Sequence, residues 1–169
     1  MNLLFSYAYI ARMRRAWEFI RRASGGIDFL LDSGAHSAWN LGTHIDLGSY
    51  VDCCQRNAEY LWDYVVLDVV ADKRSTLRNL ATMRRAGLRP MTVLTSDMSM
   101  RLMPRLSADG CRVAIAGGVT ETMKWYGPRI KAAQAAAPGT QLHGLGFSRG
   151  LPVATTPVHS VDSSTYKEH

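Results

Sequence analysis

Cysteine is scarce and unpatterned in this chain. Cys53, Cys54 and Cys111 are the three present, two of them adjacent and none in a CxxC spacing. A bond between neighbours would strain the backbone, and an odd count makes no disulfide framework, so a reducing compartment is expected. No His or Cys lies at ligand spacing beside them, which excludes a zinc site of the usual kind and leaves small buried apolar side chains. Long hydrophobic runs are also missing. None approaches the ~20 residues that cross a bilayer, so no membrane partner is expected. The first ten residues are apolar, but Arg12, Arg14 and Arg15 follow them rather than precede them. That is the reverse of a signal peptide and points to a cytoplasmic chain. Repeats, low-complexity tracts and linkers are absent. Acidic residues are the minority charge, 14 against 20 Lys and Arg, for a net +6. The excess gathers at Arg12, Arg14, Arg15, Arg21 and Arg22. Two readings stand side by side there: a solvated helix face, or a footing for a polyanion such as nucleic acid. With 47% apolar and 20% charged residues, the composition is that of one folded domain over residues 1–169.

What is present is an alternation of apolar β-type runs with amphipathic stretches. Leu3–Ile10 reads as a strand and Met13–Ala23 as a helix closed by Gly25-Gly26. Phe29–Leu31 is a short strand ending at Asp32-Ser33-Gly34, followed by a helix over Leu47–Tyr60 and a strand over Tyr64–Val70. Ser75 is expected to cap a helix through Ala86, stopped by Gly87. Met91–Leu94 is a strand, Met98–Leu106 a helix, and Val113–Ala116 a strand ending in Gly117-Gly118. Thr120 would cap a helix to about Ala137, and Leu142–Phe147 and Val158–Val161 complete the strands. Short strands apolar on both faces mark a parallel sheet covered by helices. The first strand is followed by Ser6-Tyr7-Ala8-Tyr9 rather than a glycine-rich dinucleotide fingerprint, and the polar residues collect at C-terminal strand ends. Both features favour a (β/α) TIM-type barrel over a doubly wound sheet. Roughly seven strands are recognisable where a closed barrel has eight. The barrel is therefore expected to be small and either incomplete, closed by a partner chain as in a homodimer, or tighter than these strand limits suggest.

Three carboxylates stand out. Asp32 follows Phe29-Leu30-Leu31 and enters Ser33-Gly34, a pattern that also suits an Asx-turn or a helix cap. Asp68 interrupts Tyr64–Val70, where burying a carboxylate is costly unless it is paired or binds something. Asp162 ends the last strand and precedes Ser163-Ser164-Thr165, which also fits an N-cap. Gly117, Gly118 and the segment His143-Gly144-Leu145-Gly146 put glycine at two further strand ends, where a backbone N–H can approach a ligand. His36, His143 and His159 lack the spacing of metal ligands, so no metal site is expected. Two carboxylates at one barrel mouth could divide nucleophile and acid/base work, as in retaining glycosyl transfer.

The segments LLDSGAHSAW from Leu30, YVVLDVVAD from Tyr64, VAIAGGVTE from Val113, LHGLGFS from Leu142 and SVDSSTY from Ser160 occur in an order that resembles the tRNA-guanine transglycosylase superfamily. They are similar to the short phage and bacterial members that insert 7-deazaguanines into DNA, as is Thr76–Val93 between them. The resemblance implies a (β/α) barrel, a DNA partner and a free 7-deazaguanine base, preQ0 or a close derivative. For a phage-encoded enzyme the compartment is the host cytoplasm. It implies that Asp162 is the nucleophile attacking C1′, that Asp32 is the acid/base, and that Asp68 reads guanine. Ser33, Gly34, Gly117, Gly118, His143 and Gly144 fall in the motifs that hold the base. The physics of Asp68 agrees, since a carboxylate accepts from guanine N1–H and the exocyclic amine together, a donor pair adenine lacks. Departures from the family also carry expectations. No cysteine-rich zinc segment follows Asp162, so no zinc or other cofactor is expected. Ala35-His36 replaces Gly-Phe, and Thr95-Ser96 stands where a base-contacting glutamine belongs. On the residues alone two other readings stay open: a barrel acting on a small phosphorylated metabolite, and a degenerate barrel that binds nucleic acid or a partner without catalysis.

Overall fold

A computed structural model describes residues 2–117, 123–146 and 157–162. Among them the chain is mixed α/β, with two all-parallel sheets of three and four strands. It groups into two compact units, Met1–Met91 and Thr92–His169.

In the first unit β1 (Asn2–Ser6), β2 (Asp28–Asp32) and β3 (Asp63–Tyr64) lie in that order. Phe29, Leu30 and Leu31 are all buried, so β2 is covered on both faces, and each such side chain contributes about 1.5–3 kcal/mol of burial. β1 is shorter than its apolar run suggests. Its register with β2 runs from Asn2↔Asp28 to Ser6↔Asp32 and ends where β2 turns away. With no neighbouring strand beyond that point, Tyr7–Ile10 coils into a helical turn, α1, closed by Ala11 N–H on the Tyr7 carbonyl. Helix α2 (Arg14–Ala23) buries Trp17 and Ile20 and turns its arginines outward. After α3 (Ala35–Asn40) comes α4 (Leu47–Asn57), whose Asp46 cap accepts from Ser49 N–H at 2.8 Å. Tyr50, Cys53, Cys54 and Asn57 form its inner stripe. Burial pushes the Cys54 thiol up to about 12, and all three cysteines are buried thiols.

The strand expected over Tyr64–Val70 is also cut short. Val65 bridges to Met91, and Val66 N–H donates to the Met91 carbonyl at 2.9 Å. Past that point side chains replace ladder partners: Val69 N–H donates to Thr76 Oγ1 at 2.9 Å, and Asn79 Nδ2 donates to the Leu67 carbonyl at 2.8 Å. Asp68 therefore occupies an irregular segment, not a strand. Thr76 and Asn79 belong to α5 (Lys73–Arg85), which Asp72 caps in place of Ser75, by accepting from Ser75 N–H at 3.0 Å.

The second unit orders β4 (Thr92–Leu94), β5 (Val113–Ala116), β6 (Leu142–Leu145) and β7 (Ser160–Val161) in sequence. Val113, Ala114, Ile115 and Leu142 pack with Met103 and Leu106 of α6 (Met103–Leu106) and Ile130 and Ala133 of α7 (Met123–Ala136) as its core. The helix expected over Met98–Leu106 divides into a 3-10 turn at Met100–Leu102 and α6. Pro104 falls in the first turn of α6, where its missing N–H costs nothing. Thr120, expected to cap α7, lies outside the described residues, as do Gly118 and Phe147. Both sheets run strictly in sequence order, without the reversal that defines a doubly wound sheet. No helix among the described residues is long and apolar enough to cross a membrane.

Candidate functional site

Two of the three carboxylates stand in the first unit. At the end of β2 the Asp32 Oδ2 accepts from Gly34 N–H at 2.9 Å, an Asx-turn that fixes the carboxylate at the strand end. The turn needs glycine. Gly34 has φ +77, and a Cβ there would lie 2.6 Å from Ala8 Cβ and 2.7 Å from both the Ala8 nitrogen and Ser6 Oγ. Ser33, fully buried, donates its hydroxyl to Asp68 Oδ1 at 3.0 Å and accepts from Ala35 N–H at 3.2 Å. The Asp32-Ser33-Gly34 turn thus shapes one carboxylate and holds another.

Asp68 is crowded enough for desolvation to push its carboxyl above the usual range, while the Ser33 hydroxyl and nearby His36 work the other way. Part of the residue still reaches a cleft of about 430 Å³, a volume in the range of small-molecule sites. Trp39, His44, Arg78 and Asn79 line the same cleft. Trp39 is 60% exposed and stands 6.0 Å, ring to ring, from His36. The cleft therefore joins a flat aromatic surface, a cation and a carboxylate with acceptor capacity to spare. None of the four lining residues was singled out from sequence, although Trp39 closes the LLDSGAHSAW segment.

Asp162 stands in the second unit, directly after β7. Its Oδ1 accepts from Gly146 N–H at 2.8 Å and faces His143 Nε2 at 3.1 Å. The other ring nitrogen of His143, Nδ1, lies 2.8 Å from Ser160 Oγ. His143 is 2% exposed. β6 and β7 pair His143 with Ser160 and Gly144 with Val161, and Asp162 N–H donates to the Gly144 carbonyl at 3.1 Å. Of the motif glycines it is Gly146, with φ +70, that meets the carboxylate, while Gly144 serves as a sheet residue. Gly117 N–H donates to the Tyr126 hydroxyl at 3.0 Å, and Gly118 lies outside the described residues. Ser160 was missed from sequence. The signal was there: residues two apart on a strand share a face, which aligns Ser160 with Asp162. No protein-family model matches the chain, and no curated protein matches it.

Proposed function

We propose that the protein is a (β/α)-barrel DNA-guanine transglycosylase, exchanging guanine in DNA for a free 7-deazaguanine base such as preQ0. The single observation that carries the reading is Asp68: a desolvated carboxylate, steadied by the Ser33 hydroxyl, opening on a cleft with an exposed indole. Desolvation makes such a group costly on its own and strengthens its attraction for a ligand bringing N–H donors. Guanine brings two, N1–H and the exocyclic amine, and its ring can lie on Trp39, where base stacking is worth about 1–3 kcal/mol. In the proposed chemistry the Asp162 carboxylate attacks C1′ as the C1′–N9 bond breaks, and Asp32 gives its proton to the departing guanine. The incoming base then loses its N9 proton to Asp32 and attacks C1′, and the Asp162 carboxylate leaves. The sequential all-parallel strand order within each sheet supports a barrel-type winding. The outward arginines of α2 suit a phosphate backbone, and a target in duplex DNA must leave the stack to enter a cleft.

The test incubates the protein with guanine-containing duplex and labelled preQ0, followed by digestion to nucleosides and mass spectrometry. Wild type incorporates the label, and Asp162→Ala, folded by circular dichroism, incorporates none. Equal incorporation by Asp162→Ala rejects the mechanism, and salt-dependent binding without base release favours the non-catalytic reading.

A further inference from the structure

We infer that His143 is a positioning residue that selects which oxygen of Asp162 reacts, an assignment that rests on the proposed base exchange. The second unit builds a clamp on one carboxylate oxygen: Oδ1 takes Gly146 N–H at 2.8 Å and His143 Nε2 at 3.1 Å. A carboxylate has no proton to give, so Nε2 carries one. In the neutral ring Nδ1 is then the acceptor, and the Ser160 hydroxyl 2.8 Å away donates to it. The register that pairs His143 with Ser160 and the β6 burial that leaves the ring 2% exposed hold this order in place.

The consequence is chemical. Two donors draw electron density to Oδ1 and leave Oδ2 as the oxygen that forms the bond to C1′. In the resulting ester Oδ1 is the carbonyl oxygen and still carries both donors. When the incoming base displaces the ester, negative charge returns to the carboxylate beneath the same two N–H groups, so the clamp also aids Asp162 as leaving group.

His143→Leu is expected to lose about 10- to 100-fold in kcat, the range for removing a charge-assisted hydrogen bond at a reacting group, with KM for DNA and base within about twofold. His143→Gln, whose amide can donate from nearly the same point, is expected to recover most of that loss. Nitrogen-15 imidazole shifts supply a readout independent of turnover and of the folding of either variant: wild type shows a protonated Nε2 and an unprotonated Nδ1. Full kcat in His143→Leu, or a protonated Nδ1 with bare Nε2 in wild type, overturns the clamp while base exchange stands. Absence of exchange by wild type overturns the transglycosylase reading, and the catalytic role of His143 with it. Labelling of Ser160 by a fluorophosphonate overturns the positioning role too, because Asp162 would then orient His143 as base for a Ser160 nucleophile instead of attacking C1′ itself.

Discussion

Replacing Gly34 with alanine tests the turn on which both first-unit carboxylates depend. Two costs add. A side chain at φ +77 occupies the left-handed region, at roughly 1–2 kcal/mol for an L-residue. The new Cβ also falls 2.6 Å from Ala8 Cβ and 2.7 Å from the Ala8 nitrogen and Ser6 Oγ. The Ser6 hydroxyl can rotate aside, but the Ala8 backbone cannot, so overpacking adds about 1–3 kcal/mol. The sum, about 2–5 kcal/mol, is a large part of a typical stability of about 5–15 kcal/mol. At this chain length it corresponds to a fall in Tm of roughly 4–20 °C.

A second glycine separates the two costs. Gly42 has φ +61 and nothing within 4 Å of the position its Cβ would take. Gly42→Ala should show the backbone cost alone, about 1–2 kcal/mol. Urea unfolding of wild type and both variants, followed by circular dichroism, gives the difference directly. Gly34→Ala must unfold at distinctly lower urea than Gly42→Ala. Coincident midpoints for the two variants would refute the close approach of Ala8 in α1 to the Asp32 turn. Because Gly34 N–H fixes Asp32 Oδ2, whatever Gly34→Ala protein remains folded should also lose more of the proposed base exchange than Gly42→Ala does.

Asp68→Asn should stabilise the fold near neutral pH. Its carboxyl is raised in the native state by desolvation, so as pH climbs from the ordinary carboxylate value to the raised one, the unfolded chain releases a proton that the native chain keeps, and stability falls. The urea midpoint of wild type should therefore drop relative to Asp68→Asn across that window, and parallel midpoints from pH 3 to 8 would refute the desolvation. Tyr50→Phe removes the hydroxyl that donates to the Val65 carbonyl at 2.6 Å from a fully buried ring. The loss should be about 1–3 kcal/mol by urea unfolding, and a change below 0.5 kcal/mol would show the carbonyl satisfied otherwise.

Strand positions were legible because parallel strands buried on both faces are continuous apolar runs, and Phe29–Leu31 and Val113–Ala116 are strands as the pattern predicts. Strand ends were not, because apolarity says where a residue is buried but not what its backbone bonds to. The apolar runs Leu3–Ile10 and Tyr64–Val70 continue past Ser6 and Val66, the second broken only by Asp68, yet the backbone pairing ends at those residues. In the second case Thr76 and Asn79, on a helix begun after the segment, take over its hydrogen bonds. No local window holds that information.

The same distinction governs the site. An aspartate after an apolar run can be seen in sequence, but what distinguishes one from another is its environment. Asp32 is bound into its own turn by a backbone N–H two residues on, Asp68 takes a hydroxyl from 35 residues away, and Asp162 takes a ring nitrogen from 19 residues away. Only the first of these partners is near enough to be read as a motif. The other two meet their partners because consecutive parallel strands bring their C-terminal ends side by side within each sheet. β2 and β3 end beside one another, so that the turn carrying Ser33 and the segment carrying Asp68 leave the sheet together, and β6 and β7 align His143 with Ser160, two residues before Asp162. Moving His143 by one residue along β6 would carry its side chain to the opposite face and separate it from Ser160 and Asp162. The hydrogen bonds on Asp162 are therefore set by strand register, those on Asp68 by the turn and the helix packed against its segment, and a shift in the β6–β7 register should strip Asp162 of its ring donor even where all the carboxylates are retained.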